Sequence, residues 1–272
     1  MSLEFSKYQG LGNDFLLFND RDGQILSRLK ETTIIRLCHR HEGVGADGIL
    51  IRSSSSYADH RMTLFNADGS PAEISGNGLR CFVLFLKAQG YPMDNEVKIE
   101  TGGGVLRARL INGNTVEATM PPPNFADQKS IEPLKLTAGD KSFTVYPVNV
   151  GNPHGVIFGP VRDIDFARQY GPELEKNSAF PDGANIEFVA VTSETECELV
   201  VWERGAGITL ACGSGSVATA CAGAAVGHFA FDKPISVSQP GGKLEITVAK
   251  DFKEIRQRGP AKFVFRGEAY EY

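Results

Sequence analysis

The feature that most constrains this chain is an internal repeat. Four short glycine-containing segments of the first half recur in the second half at a separation of about 138 residues. That period is far longer than the ~20–50 residues of solenoid repeats, so it predicts two homologous domains. Coincidence among turns in a chain with 30 glycines is the alternative, and the nearly constant separation argues against it. The matched pairs are Gly12-Asn13 with Gly151-Asn152, Gly45–Ile51 with Gly183–Val189, Ser75-Gly76 with Cys212-Gly213, and Gly102–Leu106 with Gly241–Glu245.

The two halves differ at one reactive atom. Ser75 and Cys212 each precede a glycine and an apolar, helix-like run. Unpaired N–H groups at a helix N-terminus favour a thiolate, so we expect the pKa of Cys212 to be lowered. A serine hydroxyl is far less acidic than a thiol, and serine is also a favoured N-cap, so capping is the alternative interpretation of Ser75. For Cys212 the alternative is a buried cysteine at a strand-to-helix turn.

Composition excludes several classes of protein. The chain has 272 residues, of which 42% are hydrophobic and 22% charged, as in ordinary globular proteins. A net charge of −5 argues against a nucleic-acid surface, which needs clustered Lys and Arg. No apolar run reaches the ~18 residues of a membrane span, and no leader-like segment opens the chain. The five cysteines, an odd count at irregular spacing, do not indicate a disulfide framework. We therefore expect a cytoplasmic protein.

Short strands outnumber helices, which indicates α+β (mixed α/β) domains. The predicted strands are Leu3–Tyr8, Phe15–Asn19, Gly48–Arg52, Met62–Asn66, Val97–Thr101, Val105–Ile111, Thr115–Met120, Phe143–Val150, Gly155–Phe158, Ile186–Val191, Glu198–Trp202, Ile235–Gln239, Leu244–Ala249 and Ala261–Gly267. The predicted helices are Glu31–His39, Leu79–Gln89, Phe166–Tyr170 and Ser216–Val226. With one principal helix per half, we predict two pseudo-symmetric domains, each a curved, mostly antiparallel sheet around a central helix.

Proline-containing segments suggest the domain limits. Pro121–Phe125 leaves a strand and is typical of an interdomain crossing. Arg258–Pro260 is predicted to be a turn before a last strand that returns to the first domain. The predicted domains are therefore residues 1–121, with strand 262–272 joining them, and residues 122–261.

Other motifs have plainer interpretations. Gly10–Asp14 is not a P-loop, because no Gly-Lys-Ser/Thr follows, and Gly102–Gly104 is typical of a turn between strands. Cys38–His41 lacks a second ligand pair at a recognised spacing, so no metal site is predicted.

Two further segments offer polar groups for a ligand. His154 lies in a turn after Asn152-Pro153, where it is either a site residue or a solvated one. Glu203 and Arg204 end an apolar strand, where a charged pair is often a surface cap. Alternatively, Arg204 can clamp a carboxylate and Glu203 can hold an ammonium. The two predicted helix starts suit an anion, a substrate carboxylate included.

Taken together, these residues resemble the diaminopimelate epimerase family. The resemblance spans nearly the whole chain in the family's order. It rests on Gly12–Phe15, Gly43–Gly48, Asn66–Ser70, Gly76–Cys81, Gly151–His154, Asn185, Glu203–Gly207 and Ala211–Gly215. The family fold implied is two pseudo-symmetric α/β domains with the site in the cleft between them. The implied activity is cofactor-independent epimerisation of LL- to meso-diaminopimelate, in lysine and peptidoglycan precursor biosynthesis.

The resemblance also implies roles for individual residues. One cysteine from each half exchanges the α-proton, and Cys212 matches the second of them. Ser75 matches the first, where the family has Cys. By the resemblance, Gly76, Asn77, Gly213 and Ser214 hold the reacting carboxylate, and His154 lies near the reacting carbon. The resemblance also implies that the remaining amine and carboxylate groups of the substrate are bound by Asn13, Asn66, Asn152, Asn185, Glu203 and Arg204.

Two departures from the family pattern stand out. Ser75 is either an engineered replacement or a natural divergence, and it predicts impaired turnover. Gly48 stands where some members carry Gln. Two alternatives stay open: a racemase or isomerase of another amino acid, and a binding protein that has lost catalysis. The expected partner is a small amino-acid substrate, with no nucleic acid, membrane, metal or cofactor; the family further implies a homodimer.

Overall fold

The computed structural model describes residues 2–93, 95–125 and 130–270, and these form two compact units. The first unit extends to Thr119 and resumes at Gly259; the second is Met120–Arg258. Among the described residues, we find no helix with the length and apolar character to cross a membrane.

The first unit has one helix at its centre and two helices on the outer side of its strands. Its helices are α1 (Gln24–Arg28), α2 (Glu31–Cys38) and α3 (Gly76–Ala88). Its strands are β1 (Leu3–Gly10), β2 (Asn13–Asn19), β3 (Gly48–Ser53), β4 (His60–Asn66), β5 (Pro71–Ala72), β6 (Val97–Thr101), β7 (Gly104–Asn112), β8 (Thr115–Met120) and, from the end of the chain, β18 (Lys262–Ala269). The pairs β2–β3 and β4–β6 are parallel. The pairs β1–β18, β1–β2, β3–β4, β4–β5, β6–β7 and β7–β8 are antiparallel.

The second unit follows the same plan. Its helices are α4 (Ile164–Glu175) and α5 (Gly213–Ala225). Its strands are β9 (Leu134–Ala138), β10 (Lys141–Asn149), β11 (Pro153–Phe158), β12 (Asn185–Ser193), β13 (Glu196–Glu203), β14 (Gly207–Ile208), β15 (Pro234–Gln239), β16 (Gly242–Val248) and β17 (Ile255–Pro260). Here β11–β12 and β13–β15 are parallel. The pairs β9–β10, β10–β11, β12–β13, β13–β14, β15–β16 and β16–β17 are antiparallel.

The order of pairings in one unit is therefore repeated in the other, as the sequence repeat predicts. Strands β1 to β8 correspond in order to β10 to β17, and helices α2 and α3 correspond to α4 and α5. Strand β18 pairs with β1 as β9 pairs with β10. The mixed, mostly antiparallel fold predicted from the sequence is confirmed.

The central strands of the first unit are buried on both faces because a helix covers each side. Phe15 and Leu17 of β2 belong to the core that surrounds α3. Leu16 and Phe18 of the same strand belong to a separate core with Ile34 of α2. Alternate residues of β2 thus enter opposite cores. This explains why the sequence of β2 is a continuous apolar run and does not alternate between apolar and polar residues.

Several predicted elements need correction. The segment Arg258–Pro260, predicted as a turn, lies within β17, and the strand ends at Pro260, which has no N–H to donate to a further strand hydrogen bond. Helix α4 continues through Pro172, whereas we expected it to end at Tyr170. Strands β5, β9 and β14 and helix α1 were not predicted, because two to five residues carry too little periodicity. Residues 271 and 272 of the predicted last strand lie outside the described residues.

A buried ion pair anchors the start of β2. Asp14 contacts Lys7 at 2.7 Å and Arg40 at 2.8 Å. Burial would raise the pKa of Asp14, but the hydrogen bonds and charges of Arg40 and Lys7 outweigh it, so this pKa is lowered. A carboxylate with a lowered pKa stabilises the fold above its unfolded pKa of about 3.9, and that stabilisation is lost as the pH falls through the folded pKa.

We therefore expect Asp14→Asn to reduce the free energy of unfolding by about 3 kcal/mol at pH 7, because the buried Lys7 ammonium loses its carboxylate partner and keeps only the carbonyl of Gly45. The difference should shrink as the pH falls below 4. Urea unfolding at several pH values measures it. The exposed pair Asp165–Arg168 provides the control, and Asp165→Asn should cost less than about 0.5 kcal/mol. Equal effects of the two substitutions would contradict the role of burial.

Candidate active site

Ser75 caps the central helix of the first unit. Its backbone is extended, with φ −141° and ψ 118°, and its Oγ accepts a hydrogen bond from Gly78 N at 3.0 Å. The helix begins at Gly76, directly after Ser75, rather than at the predicted Leu79. Ser75 is half-buried, and its hydroxyl pairs with one of the N–H groups that the first turn of a helix leaves free.

Cys212 occupies the matching place in the second unit. It has φ −112° and ψ 113°, and its Sγ accepts from Gly215 N at 3.3 Å. Its own N–H donates to Gln239 Oε1 at 2.8 Å, and Gln239 in turn donates to Ser216 Oγ at 2.9 Å. Helix α5 begins at Gly213, so both candidate nucleophiles are N-caps that accept from the third residue of their helix.

The expectation that the helix N-terminus lowers the pKa of Cys212 is wrong. Burial raises the pKa of the thiol well above its usual range, and the charges of Glu203 and Glu187 raise it further. Hydrogen bonds from Ser214 and Gly215 lower it, but by less. Because desolvation outweighs the helix N-terminus here, Cys212 is a protonated thiol at neutral pH.

Alkylation of Cys212 should therefore depend steeply on pH. In the ligand-free protein we expect the iodoacetamide rate at Cys212, followed by peptide mass spectrometry, to rise about tenfold per pH unit up to pH 9, because only the thiolate reacts. Glu203→Gln removes a nearby negative charge, which lowers the pKa of the thiol and moves the whole profile to lower pH. A rate that levels off below pH 8 would contradict the raised pKa.

Polar residues of the first unit converge on the start of α3. Asn77 is buried, and its Nδ2 donates to Asn13 Oδ1 at 3.3 Å. Arg80, fully buried, donates to Asn77 Oδ1 at 2.6 Å and to Pro260 O at 3.1 Å. Asn13 Nδ2 donates to Asp47 Oδ2 at 2.8 Å. These bonds hold both side-chain amides, Asn13 and Asn77, in fixed orientations beside the helix that Ser75 caps.

Two other predicted residues of this unit lie on the neighbouring strand ends. Gly48 pairs with Phe15 on one side and with Asn66 on the other. Asn66 is exposed, and its Nδ2 donates to Ser70 Oγ at 3.0 Å. A Cβ at Gly48 would lie 2.5 Å from Phe65 O, so the Gln of some family members would require the backbone to shift here.

In the second unit, His154 and Asn152 lie beside the helix that Cys212 caps. His154 Nδ1 contacts Glu187 Oε1 at 2.7 Å, and its Nε2 contacts Asn152 Oδ1 at 2.9 Å. Asn152 Nδ2 donates to Ser214 Oγ at 3.2 Å, and Ser214 Oγ lies 3.6 Å from Cys212 Sγ. His154 therefore lies in β11, completely buried beside the start of α5, and is not the solvated turn residue that the sequence left possible.

The remaining predicted residues of this unit lie at the start of β12 and at the end of β13. Asn185 pairs with His154 in the parallel register, and its Oδ1 accepts from Arg204 N at 3.0 Å. The Arg204 side chain is exposed, and its guanidinium donates to Asp182 O at 3.2 Å. Glu203 accepts from Thr209 Oγ1. Burial raises the pKa of Glu203, as does Glu187, against the smaller lowering by Thr209, His154 and Cys212.

Several residues of this neighbourhood were not predicted. Glu187 lies in the apolar run Asn185–Ser193 and is completely buried; an acidic residue inside such a run was the available indication. Gln239 and Gln257 bond to the backbone of Cys212 and Gly213, but nothing in their local sequence distinguishes them. Arg80 lies one turn after Asn77 on α3, and its sequence offers no signal beyond its place in the Gly76–Cys81 motif.

Sequence comparison finds one family that matches over nearly the whole chain. The sequence model described as diaminopimelate epimerase matches residues 5–126 and 146–264. A diaminopimelate epimerase of Desulforudis audaxviator is 40% identical over 279 residues, which cover 98% of this chain and 99% of that protein. One of Nostoc punctiforme is 37% identical over 285 residues, covering 98% of this chain and 100% of that protein.

Solved structures show the same fold at low sequence identity. A phenazine biosynthesis protein of the PhzF family from Bacillus anthracis superposes with a TM-score of 0.76 at 17% identity, covering 100% of both chains. A hydroxyproline epimerase from Agrobacterium vitis gives a TM-score of 0.71 at 12% identity, covering 98% of this chain and 92% of that one. At such identities the likeness extends to the fold alone.

Proposed function

Because the chain belongs to the diaminopimelate epimerase family, we propose that it converts LL-diaminopimelate to meso-diaminopimelate by a two-base proton transfer. The observation that carries the proposal is the matched pair of helix N-caps. Ser75 and Cys212 hold equivalent positions in two units of the same topology. A reaction that removes a proton from one face of a carbon and returns one to the other needs two such groups.

The proton balance is simple. One side chain acts as base and takes the α-proton, which leaves a carbanion whose charge spreads into the α-carboxylate. The other side chain is an acid and donates its own proton to the opposite face, so the carbon is inverted. The raised pKa of Cys212 suits the acid, because a buried thiol is protonated until the substrate accepts its proton. For LL-diaminopimelate the base is then the residue at position 75.

The two helix N-termini can stabilise the negative charge that develops when the α-proton is removed. An amino-acid α-proton is weakly acidic without an imine as electron sink, so donors must already be aimed at the charge that develops on the carboxylate. We propose that the N–H groups at Gly76, Asn77, Gly213 and Ser214 are those donors. Helix N-termini are suited to anions through their free N–H groups and the positive end of the dipole.

The other predicted residues suit the zwitterionic groups of the substrate. Glu203 is a buried carboxyl with a raised pKa, and an ammonium ion beside it would favour the ionised form. The Arg204 guanidinium is exposed and can clamp a carboxylate. We propose that the amides of Asn13, Asn66, Asn152 and Asn185 complete these contacts and that His154 lies near the reacting carbon.

Chain organisation and assembly form part of the same proposal. We propose that residues 1–121, with the segment 262–272 to which β18 belongs, and residues 122–261 are the two domains of the repeat. We further propose a homodimer. Three neighbouring apolar side chains of β18, Phe263, Val264 and Phe265, are 41–50% exposed, which suits a surface covered by a second copy. A monomer at micromolar concentration in sedimentation velocity would contradict the dimer.

A reducing cytoplasm is the compartment that we propose. All five cysteines are buried free thiols. Diaminopimelate epimerisation belongs to lysine and peptidoglycan precursor biosynthesis, whose small-molecule intermediates are made inside the cell. Fractionation of the source cells, followed by immunodetection of the chain, tests this placement.

The activity is tested in deuterated water with a panel of amino acids. We expect meso-diaminopimelate to form from the LL isomer and to carry deuterium at one α-carbon, as measured by chiral chromatography with mass spectrometry. L-lysine, which lacks the second carboxylate, and L-proline, which lacks both far-end groups, should exchange at least about 100-fold more slowly. Faster exchange with one of these would favour an isomerase of another amino acid. Tight binding of diaminopimelate without exchange, even after Ser75→Cys, would favour a binding protein.

A further inference from the structure

A cavity of about 820 Å³ lies beside the end of α3 in the first unit, at the opposite end of the helix from Ser75. It is bordered by the last turns of α3, by the short turn between β7 and β8, and by strands β1 and β18. Small-molecule sites have volumes of about 300–1,000 Å³, so the cavity has room for a ligand. It is termed the basic groove here, and its walls include Tyr8 of β1, Leu84 and Lys87 of α3, and Lys262, Phe263 and Arg266 of β18.

A bulge in β18 gives the basic groove an aromatic wall. Tyr8 pairs with Phe263, whereas the residue before Tyr8 pairs with Phe265. Val264 is therefore an extra residue, and a bulge of this kind breaks the alternation of side chains along a strand. The Phe263 ring contacts the Tyr8 ring, with centroids 5.4 Å apart, beside the core around α3. The Phe265 ring instead contacts Phe5 of the other core, so the two phenylalanine rings lie on opposite faces of the strand.

The charged residues that line the basic groove are all cations. Lys87, Lys262 and Arg266 are exposed, and in the described part of the chain none of them is paired with a carboxylate. The Arg266 guanidinium lies 5.9 Å from the centre of the Phe263 ring, within the range of a cation–π contact. Lys87 also suits the end of a helix, where a cation meets the negative end of the dipole, but a strand gives Lys262 and Arg266 no such role. In a chain of net charge −5, three unpaired cations around one cavity indicate an anionic ligand.

Tyr8 brings an unused hydrogen-bond donor to the same cavity. The residue is 2% exposed, and its hydroxyl has no hydrogen-bond partner among the residues that the structure describes. Burial raises the pKa of this hydroxyl, and the nearby charge of Arg266 lowers it by less, so the group is protonated at neutral pH. A hydroxyl on so buried a side chain normally has a partner. Together with the guanidinium of Arg266, its O–H suits an anionic oxygen atom.

The second unit shows that the fold does not require an open, basic groove at this place. The cavity beside the end of α5 has a volume of about 460 Å³. Phe252, from the turn between β16 and β17, lines that cavity and packs against Phe125 and Phe231, with ring centroids 5.3 and 5.2 Å away. Its φ of 60° is uncommon for a bulky residue, so tertiary packing must hold it there. The charged residues that line this cavity, Lys250 and Asp251, are of opposite sign, so its walls have no excess of cations.

We propose that the basic groove binds one small aromatic anion, with its ring system against the Tyr8 and Phe263 rings and its acidic group among the three cations. Such a ligand carries a carboxylate, sulfonate or phosphate group on an apolar, aromatic body. Inorganic phosphate lacks the body, and a neutral aromatic molecule lacks the charge, so each satisfies only half of the groove. Because the groove lies at the other end of α3 from Ser75, binding there is independent of the proposed reaction.

Two dyes that differ by one sulfonate test this site. They are anilinonaphthalene sulfonate and its neutral counterpart phenylnaphthylamine, and both become fluorescent when they leave water. We expect one molecule of the sulfonate dye to bind per chain, at least about tenfold more tightly than the neutral dye at low salt. Sodium chloride at about 1 M should remove most of this difference, because it screens the cations. Fluorescence titration measures both affinities, and isothermal titration gives the stoichiometry of the sulfonate dye.

Charge reversal in the groove provides the second test. Lys262→Glu should weaken binding of the sulfonate dye at least about tenfold and change the affinity for the neutral dye less than about twofold. Lys243 is an exposed lysine on β16 of the second unit. Lys243→Glu makes the same change of charge away from the groove, so it should leave the affinities for both dyes unchanged.

A substitution that fills the groove identifies the place of binding. Ala88 lines the groove on the exposed side of the last turn of α3, so in Ala88→Trp an indole occupies the cavity without entering the core. Neither dye should then bind, while circular dichroism shows that the variant is folded.

Equal affinities for the two dyes, or equal weakening by Lys262→Glu and Lys243→Glu, would overturn the proposal. Sulfonate-dye binding that survives in folded Ala88→Trp would place the dye elsewhere and reject the site as well. Phe263 also belongs to the surface proposed for a second copy. If the affinity for the dye falls as the protein concentration rises over about a hundredfold range, a second copy fills the groove and the small-anion site is rejected.

Discussion

Ser75→Cys is expected to increase the epimerisation rate of this chain by about 10³-fold. A serine hydroxyl is far less acidic than a thiol of pKa about 8.5, so it supplies almost no base at neutral pH. General acid–base catalysis by a suitable group contributes typically 10²–10⁴-fold. The backbone at position 75 already has the extended N-cap geometry of Cys212, so a cysteine there needs no change of backbone conformation. Deuterium incorporation into diaminopimelate, together with formation of the meso isomer, measures the gain.

The control for this experiment adds a thiol at a position that takes no part in the proposed reaction. Ser142 is exposed on β10 of the second unit, and Ser142→Cys should leave the rate unchanged. If Ser75→Cys is no more active than the unchanged chain, position 75 does not carry the base. The two-base interpretation would then fail.

The second large effect concerns Cys212. In the Ser75→Cys background, Cys212→Ala should reduce epimerisation by about 10³-fold or more, because no acid remains to protonate the second face. Substrate binding should persist, since the amides and charged groups of both units are untouched. Chiral product analysis measures the first quantity, and isothermal titration with diaminopimelate measures the second. Together they separate the loss of a proton donor from the loss of a binding site.

Cys221 offers a matched comparison for this experiment. It lies on the same helix, α5, and is completely buried. Cys221→Ala removes a sulfur from the same element and should lower stability while leaving the rate within about twofold. Comparable activity losses at both cysteines would show that damage to the helix, and not loss of the acid, explains the Cys212 result.

Much of the fold could be predicted because the chain carries its plan twice. The strand runs Val97–Thr101 and Thr115–Met120 were predicted with their observed limits, because alternating β-branched residues between turns are distinctive. The corresponding starts of α3 and α5 were placed at Leu79 and Ser216, too late, because the first turn of each helix is rich in glycine and small polar residues. Those residues have poor helix propensity, and tertiary contacts compensate for it.

The site was less predictable, for a physical reason. The positions of Ser75 and Cys212 follow from local pattern, since an N-cap precedes its helix in the sequence. The charge state of Cys212 does not, because it depends on burial and on Glu187 and Glu203, which come from different strands. Gln239 likewise reaches Cys212 N from β15, across many intervening residues. Desolvation and long-range hydrogen bonds depend on residues that are distant in the sequence, so no local sequence pattern predicts them.

The pairing of β18 with β1 has a consequence for how the chain folds as it leaves the ribosome. The second unit is assembled from continuous chain, so all of its strands are available once β17 has emerged. The first unit must wait for the last strand to be translated, although most of its residues were made first. Until then the edge of β1 is unpaired, and Phe5 and Tyr8 lack the aromatic partners Phe265 and Phe263. Nascent chains that stall before residue 262 therefore present an open, apolar strand edge, the kind of surface to which chaperones and aggregating neighbours bind.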